Sequence, residues 1–147
     1  MIKGKITGEL NFPVLNFQKD LEHIAKRIFI PYMAEGIQSG RAIDGGRFPP
    51  LSPATLRAKK GPKTLIESGK LHRSFRSRPQ GMNRVIIDLS SDRQEIGDKL
   101  QLIGVGRNKK KFKFFGVNSV MAQRAINYMN LVVRRATKRG GRRTIVR

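Results

Sequence analysis

The N-terminal part of the chain contains a long amphipathic segment. Over about residues 16–38, apolar residues recur three or four positions apart and form one stripe, which predicts an α-helix. Asn16 is placed to cap its first turn, and Pro31 lies inside the pattern. Because proline lacks an amide hydrogen and crowds the preceding turn, we expect Pro31 to kink or divide the helix. The stripe consists of Phe17, Leu21, Ile24, Ala25, Ile28, Tyr32 and Ile37.

A second amphipathic segment lies near the C-terminus. Its apolar residues follow i, i+3, i+4 spacing over about residues 119–137, which predicts another helix. Asn118 or Ser119 can cap it. The methionines in it are interpreted as residues that fill gaps in the core, and not as part of a cofactor site. The apolar face consists of Met121, Ala122, Ala125, Ile126, Met129, Val132, Val133 and Ala136.

Two short segments between these helices are typical of β-strands. Residues 84–89 are rich in β-branched side chains, and residues 99–105 alternate in part between polar and apolar before Gly106. The polar residues that separate them predict an antiparallel hairpin with a longish loop. A weaker strand is expected over Ile2–Leu10.

Residues 39–64 contain several glycines and prolines, which predicts a long loop. A short helix is expected inside it, with Ser52 as N-cap, Pro53 at the first helical position and Leu56 facing inward. Loops of this length are unusual inside compact domains and are commonly functional or disordered.

The loop also contains two apolar side chains, Phe48 and Leu51, that need to be buried somewhere. They pack either on their own domain or on a neighbouring molecule. We favour a neighbour, because a long loop that orders against a partner would explain both its length and its apolar residues.

A second short helix is predicted over residues 65–77, with Leu65, Leu71 and Phe75 as apolar anchors and a cap at Ser68. Together these elements predict an α+β fold. In it, a small antiparallel sheet packs with the long N-terminal helix and the C-terminal helix.

The charge of the protein is large and uneven. Its 147 residues include 31 Lys and Arg and 10 Asp and Glu, a formal net charge of +21. All the acids lie in the first 98 residues, which carry 17 basic residues and a net charge of +7. Residues 99–147 carry 14 basic residues and no acid. We expect residues 1–137 to form a single domain and residues 138–147 a basic C-terminal arm.

Two clusters of basic residues, one on each side of the last helix, are candidates for contact with a polyanion. Lysine and arginine neutralise phosphates without reading base sequence. They bind acidic protein surfaces equally well, and the sequence leaves both alternatives open. The candidate residues are Lys109, Lys110, Lys111, Lys113, Lys138, Arg139, Arg142, Arg143 and Arg147.

No combination of residues predicts catalysis. The chain has no cysteine and only two histidines, His23 and His72, which excludes disulfides, cysteine-ligated metals and a cysteine nucleophile. We therefore expect neither enzymatic activity nor a cofactor. The absence of a long apolar run or a leader-like N-terminus predicts a protein made and used in a cytoplasm, or in an assembly formed there. One group of acids could serve a nuclease metal but is better interpreted as a polar hairpin loop: Asp88, Asp92, Glu95 and Asp98.

Two short motifs lie within residues 47–75. Residues 47–60 read Arg-Phe-Pro-Pro-Leu-Ser-Pro-Ala-Thr-Leu-Arg-Ala-Lys-Lys, and residues 65–75 read Leu-Ile-Glu-Ser-Gly-Lys-Leu-His-Arg-Ser-Phe. An aromatic residue before Pro-Leu-Ser and Thr, a basic run, and then Leu…Ser-Gly-x-Leu resembles the bacteriophage virion-morphogenesis and tail-completion proteins. Phe114–Asn118 is similar to the aromatic-Gly turn of that family. The likeness is close over 47–75 and looser over 15–135.

The resemblance implies a small structural protein of a phage neck or tail top, located in the virion and, during assembly, in the host cytoplasm. Such proteins form a ring, often hexameric, that completes the tail and joins it to the head. The implied partners are other copies of the chain, connector or portal-side proteins, tail tube or sheath proteins and genomic DNA, with no membrane. The alternative is a sequence-nonspecific nucleic-acid-binding protein of ribosomal or nucleoid type. The candidate assembly residues are Phe48, Pro50, Leu51, Leu56, Phe114 and Phe115.

Overall fold

The computed structural model describes residues 16–58, 69–104 and 107–140. Helices dominate these three ranges, and their sheet has two antiparallel strands. The protein therefore has the predicted α+β fold, with a long N-terminal helix and a C-terminal helix. In chain order the elements are α1 (Gln18–Ile24), a first π-helical segment (Ala25–Phe29), α2 (Ile30–Ser39), α3 (Pro53–Ala58), β1 (Phe75–Pro79), β2 (Val85–Leu89), α4 (Ser91–Asp98), a second π-helical segment (Lys99–Ile103) and α5 (Ser119–Gly140).

The predicted N-terminal helix runs through α1, the first π-helical segment and α2 without a break. Asn16 Oδ1 accepts a hydrogen bond from the Gln18 amide at 3.0 Å, as expected of a capping side chain. The Ile30 amide bonds to the Ala25 carbonyl, five residues back, just before Pro31. The wider turn replaces the α-helical turn that the Pro31 ring would crowd. Pro31 therefore interrupts the α-helix, and the interruption is a π-helical segment.

Gly40 ends α2 in the left-handed conformation, with φ of 73°, which glycine adopts without strain. The chain then turns back on the helix. The Arg41 amide donates to the Gly36 carbonyl at 2.8 Å, and the Phe48 amide donates to the Gly40 carbonyl at 2.9 Å. These backbone hydrogen bonds attach the loop of residues 40–48 to the end of α2.

The short helix predicted in the long loop forms as α3. Ser52 Oγ accepts a hydrogen bond from the Thr55 amide at 3.2 Å, which confirms the predicted cap. Leu56 does not face inward: it is 50% exposed, and no residue of α3 is buried. The inward orientation predicted for Leu56 is wrong because α3 lies on the surface. Residues 59–64 of the predicted loop lie outside the described residues.

The sheet pairs β1 with β2 in antiparallel register, from Phe75 opposite Leu89 to Pro79 opposite Val85. A salt bridge between Arg78 Nη2 and Asp88 Oδ2, 2.7 Å long, joins the two strands on their more exposed side. The strand predicted over residues 84–89 is therefore confirmed, but its partner in the hairpin precedes it in the chain.

The helix predicted over residues 65–77 is wrong where the structure describes it. Residues 70–73 form a turn, and β1 begins at Phe75. Leu71 and Phe75 are both buried, as expected of apolar anchors. Two anchors four residues apart suit a helix and a turn followed by a strand equally well, and the pairing with β2 selects the strand. Outside the described residues lie Leu65 and Ser68.

The strand predicted over residues 99–105 is also wrong, because this stretch continues α4 as the second π-helical segment. Lys99 Nζ lies 2.6 Å from Glu95 Oε1, a pairing four residues apart that supports a helical conformation. The Gln101 side-chain amide exchanges two 2.7 Å hydrogen bonds with the Phe115 backbone, which holds the segment on the core. Outside the described residues lie 105–106 and the strand predicted over Ile2–Leu10.

Phenylalanines from an extended stretch before α5 lie at the centre of the core. Phe112 packs edge-to-face on Phe48, with ring centroids 5.9 Å apart, and Phe114 packs in the same way on Phe75 at 6.4 Å. The stretch thereby joins the loop to the sheet. The buried cluster consists of Tyr32, Met33, Ile37, Ala42, Phe48, Leu71, Phe75, Leu89, Phe112, Phe114 and Met121.

Asn118 connects three parts of the fold at the start of α5. Its Oδ1 accepts a hydrogen bond from the Met121 amide at 2.9 Å, which confirms the predicted N-cap. Its Nδ2 donates to the Tyr32 hydroxyl at 3.1 Å and to the Ile43 carbonyl at 2.9 Å. One half-buried side chain thus attaches α5 both to α2 and to the loop.

The C-terminal helix α5 runs antiparallel to the N-terminal helix. Its start lies beside Tyr32, and ten residues later the Tyr128 hydroxyl donates to Asp20 Oδ1 at 3.2 Å. The His23 ring stacks on Tyr128 with centroids 4.4 Å apart. Partial burial, and then the bond to Asp20, raise the pKa of Tyr128, so its hydroxyl keeps the proton it donates. Residues 138–140, predicted as the start of a separate arm, are helical.

Replacing Asn118 with alanine should destabilise the protein by about 2 kcal/mol, because a helix cap and two partly buried hydrogen bonds are lost. The measurement is urea unfolding followed by circular dichroism. Asn127→Ala is the matched control, since Asn127 is exposed on the same helix and accepts one hydrogen bond from Gln123. It should cost less than about 0.5 kcal/mol. Equal losses in the two variants would contradict the role of Asn118.

Candidate assembly and polyanion-contact surfaces

The six candidate assembly residues differ in their exposure. Phe48 is only 7% exposed, and Phe114 belongs to the same buried cluster. Both therefore pack on their own domain, and their interpretation as contacts with a neighbour is corrected: they are core residues. The remaining candidates keep solvent-exposed surface, from half-buried Leu51 and Phe115 to exposed Pro50 and Leu56.

The first basic cluster lies on the extended stretch that leads into the core. Phe112 is buried and Lys111 is exposed on the other side of the extended backbone, while Lys109 is exposed in the turn that precedes it. Half-buried Lys110 donates from Nζ to the Pro50 carbonyl at 3.0 Å. The motif-bearing loop and the basic cluster, 60 residues apart in sequence, are therefore in contact.

Lys113 differs from the other lysines of this cluster because an acid faces it. Its Nζ lies 3.4 Å from Asp44 Oδ2, and the Gly46 amide donates to the other carboxylate oxygen at 3.2 Å. The Gly46 hydrogen bond, and then Lys113, hold the pKa of Asp44 below its usual value. Asp44 is therefore ionised at neutral pH and partly offsets the charge of Lys113. No acid within the described ranges pairs with Lys109 or Lys111.

A groove of about 620 Å³ lies between the loop and the basic stretch. One side is formed by the residues that precede and begin α3, and the other by the residues before Phe112. The groove places basic side chains beside apolar carbon. Its principal lining residues are Pro50, Leu51, Thr55, Arg107, Asn108 and Lys110.

The second basic cluster begins on α5. Arg134, Arg135 and Lys138 are exposed in its last turns, and α5 contains no acid. Near its start, the Arg124 guanidinium lies 5.6 Å from the centroid of the Tyr32 ring. The positive charge therefore extends along the helix. Outside the described side chains lie Arg139, Arg142, Arg143 and Arg147.

The acids near the hairpin do not converge. Asp88 pairs with Arg78 across the sheet, while Asp92, Glu95 and Asp98 are satisfied locally on α4. A hydrogen bond from the Ser90 hydroxyl lowers the pKa of Asp92, and Lys99 lowers that of Glu95, so both are ionised at neutral pH. In the described part of the chain, no group of three His, Asp or Glu residues could hold a metal ion.

Exposed apolar side chains on two helices are the feature that the sequence interpretation missed. Leu102 and Ile103 are 63% and 61% exposed, although they were assigned to a strand. Ile126 and Val133, assigned to the packed face of the last helix, are 52% and 46% exposed. The apolar face of α5 is wider than the surface that the N-terminal helix covers. For Leu102 and Ile103 the sequence did contain a signal: the i, i+7 spacing of Ile96 and Ile103 indicates a helix and not a strand.

No protein-family profile, curated protein or solved structure matches this chain. Within the described ranges, no helix has the length and apolar character needed to cross a membrane.

Truncation should destabilise the protein far more at Phe48 than at Leu56. Phe48→Ala should destabilise the isolated protein by about 3–5 kcal/mol, because it leaves a cavity against Phe112. Leu56→Ala, the matched control on the same loop, should cost less than about 0.5 kcal/mol. Thermal and urea unfolding of the two variants provide the measurement. A stable Phe48→Ala protein would contradict the assignment of Phe48 to the core.

Lys109 and Lys111 should contribute to binding a polyanion. In the double variant Lys109→Gln, Lys111→Gln, the dependence of log K on log salt for a short DNA duplex should become less steep by about 0.9 for each lost phosphate contact. Fluorescence anisotropy at several salt concentrations measures the slope. Lys26→Gln is the control, because Lys26 is exposed but paired with Glu22 in the N-terminal helix. An unchanged slope in the double variant would exclude this cluster from DNA contact.

Proposed function

We propose that the protein is a structural subunit of a bacteriophage neck or tail top. Copies of it form a ring that completes the tail and joins it to the head, and the protein is located in the virion. The observation that carries this proposal is the amount of large apolar side chain left in solvent on α5 and on the α4 region. Exposed apolar side chains on a small domain provide sites at which another protein can associate.

The loop of residues 40–58 supports the same proposal. Its motif resembles that of tail-completion proteins, and it contains both core and surface residues. Phe48 anchors it internally, while Pro50 and Leu56 remain exposed. A loop fixed at one end to the core and exposed at the other can present apolar side chains to a neighbour without unfolding the subunit.

The basic surfaces suit the interior of a phage neck. Genomic DNA passes through such a ring, and contact with its phosphates needs no base recognition. Lys109, Lys111 and the exposed basic residues of α5 provide charge without the aromatic platforms that read single strands. Connector or portal-side proteins and tail tube or sheath proteins are the protein partners under this proposal, and acidic surfaces on them would attract the same residues.

A second candidate is a sequence-nonspecific nucleic-acid-binding protein of ribosomal or nucleoid type. The observation that favours it is the pair of exposed lysines before Phe112, Lys109 and Lys111, together with an acid-free α5. It does not account for the exposed apolar residues, because phosphate contact is electrostatic and uses cationic side chains.

Light scattering and electron microscopy distinguish the two candidates. The neck proposal requires the purified full chain to form a closed oligomer at low and high salt, and requires antibody labelling of the neck or tail top of phage particles. The second candidate requires a monomer that binds RNA or DNA tightly and is absent from particles. The latter result would overturn the neck proposal.

A further inference from the structure

We propose that the groove between the loop and the basic stretch binds an acidic peptide segment of a partner protein, with one apolar side chain of that segment inserted between the two walls. The groove has a volume of about 620 Å³, and sites that bind ligands commonly enclose about 300–1,000 Å³. A groove of this kind can serve a neck subunit or a binding protein of another class, so the proposed site does not depend on the proposed ring.

The wall on the loop side provides apolar carbon. Pro50 and Ala54 are exposed in it, and Leu51 is half-buried. Leu51 packs on the core cluster with one part of its side chain, and another part lines the groove. An apolar side chain inserted against these residues leaves water and contacts carbon, which favours binding. The loop wall therefore suits a leucine or phenylalanine of the bound segment.

The opposite wall is basic. Arg107 and Asn108 are exposed in it, and Lys110 is half-buried. Lys110 Nζ donates to the Pro50 carbonyl at 3.0 Å, and an ammonium group has three hydrogens, so this bond leaves it able to bind a carboxylate as well. Among the residues that the structure describes, no acid pairs with Arg107 or Lys110. Carboxylates of a bound segment are therefore the groups that this wall attracts.

Contacts within the chain hold both walls in place. An added Cβ at Gly104 would collide with the Lys109 carbonyl, so the turn that contains Lys109 packs closely against this glycine. The Phe112 amide donates to the Leu100 carbonyl at 2.9 Å and fixes the other end of the basic wall. The hydrogen bond from the basic stretch to the loop joins the two walls. Because the walls are already ordered, binding costs little conformational entropy of the protein.

The composition of the groove favours a peptide over a nucleic acid. Single-stranded nucleic acid stacks its bases on aromatic faces, but Phe112, the aromatic residue in the lining, is only 3% exposed. Duplex DNA contacts cations and makes no use of an apolar wall. Lys109 and Lys111, which are exposed outside the lining, provide such cations without the groove.

The net charge disfavours a second copy of the chain as the occupant. Each copy carries a formal charge of +21, so two copies repel each other at long range. A segment rich in Asp and Glu on a different protein is attracted by the same charge. Its apolar side chain then adds the contact with the loop wall that charge alone does not provide.

Peptide binding to the full chain, measured by fluorescence anisotropy, tests the proposal. The probes are labelled peptides with Leu or Phe at the centre of a sequence of Asp and Glu, and the control peptide has Ser at the centre. Salt at about 0.15 M screens charges that lie more than about 8 Å apart, so the general attraction of a basic protein is reduced. At least one of the two probes should bind about tenfold more tightly than the Ser peptide, because its apolar side chain is buried in the groove.

A double variant of the basic wall locates the binding site. Arg107→Gln with Asn108→Asp should weaken binding of the tighter probe at least about tenfold, because a carboxylate partner is lost and a like charge faces the peptide. Arg57→Gln with Asn130→Asp is the matched control, since it makes the same change in net charge at exposed residues outside the lining. The control should change the affinity less than about twofold. Circular dichroism melting checks that both variants remain folded.

Four results would overturn the proposed site. Probes that bind no better than the Ser peptide would show that no apolar side chain is inserted, and equal losses in the two double variants would show that net charge alone attracts the peptide. An oligonucleotide that displaces the probe and is weakened by the same wall variant would assign the groove to nucleic acid. Self-association of the unmodified chain that the probe inhibits would assign it to a second copy. The assay needs neither a ring nor phage particles, so its failure and that of the neck proposal are distinguishable.

Discussion

The burial of Phe112 and Phe114 is the constraint on which the rest of this fold depends. Two side chains on one side of an extended stretch contact the loop through Phe48 and the sheet through Phe75. Alternation along that stretch then leaves Lys111 and Lys113 in solvent. The backbone conformation of this stretch therefore determines both the packing of the core and the position of the basic cluster. Neither the phenylalanines nor the lysines can change sides without moving the other set.

A small core has a consequence for the surface. The N-terminal helix, the loop and the sheet cover only one side of α5 and one side of α4, so large apolar residues stay outside on both helices. The same two helices differ in charge, with acids on α4 and basic residues on α5. Exposed apolar side chains on two helices of one small domain are the feature on which the proposed association between subunits depends.

Local patterns predicted the two long helices well and the middle of the chain poorly. The N-caps at Asn16 and Asn118 and the cap at Ser52 follow from short-range hydrogen bonding, which a few neighbouring residues determine. Residues 69–77 and 99–103 carry apolar side chains at spacings that suit helix and strand alike. Pairing with β2 determines the conformation of the first segment, and the hydrogen bonds between Gln101 and Phe115 determine that of the second. Both interactions involve residues that lie outside the segment itself.

The sequence by itself determined the α+β class, the positions of the long helices, the strand at β2 and the uneven placement of the charge. Those properties depend on composition and on periodicity within a few turns. Only the tertiary structure decided that Phe48 and Phe114 are core residues and that Leu56, Ile126 and Val133 remain in solvent. The physical reason is that burial of an apolar side chain depends on what packs over it, and the packing partners come from other parts of the chain.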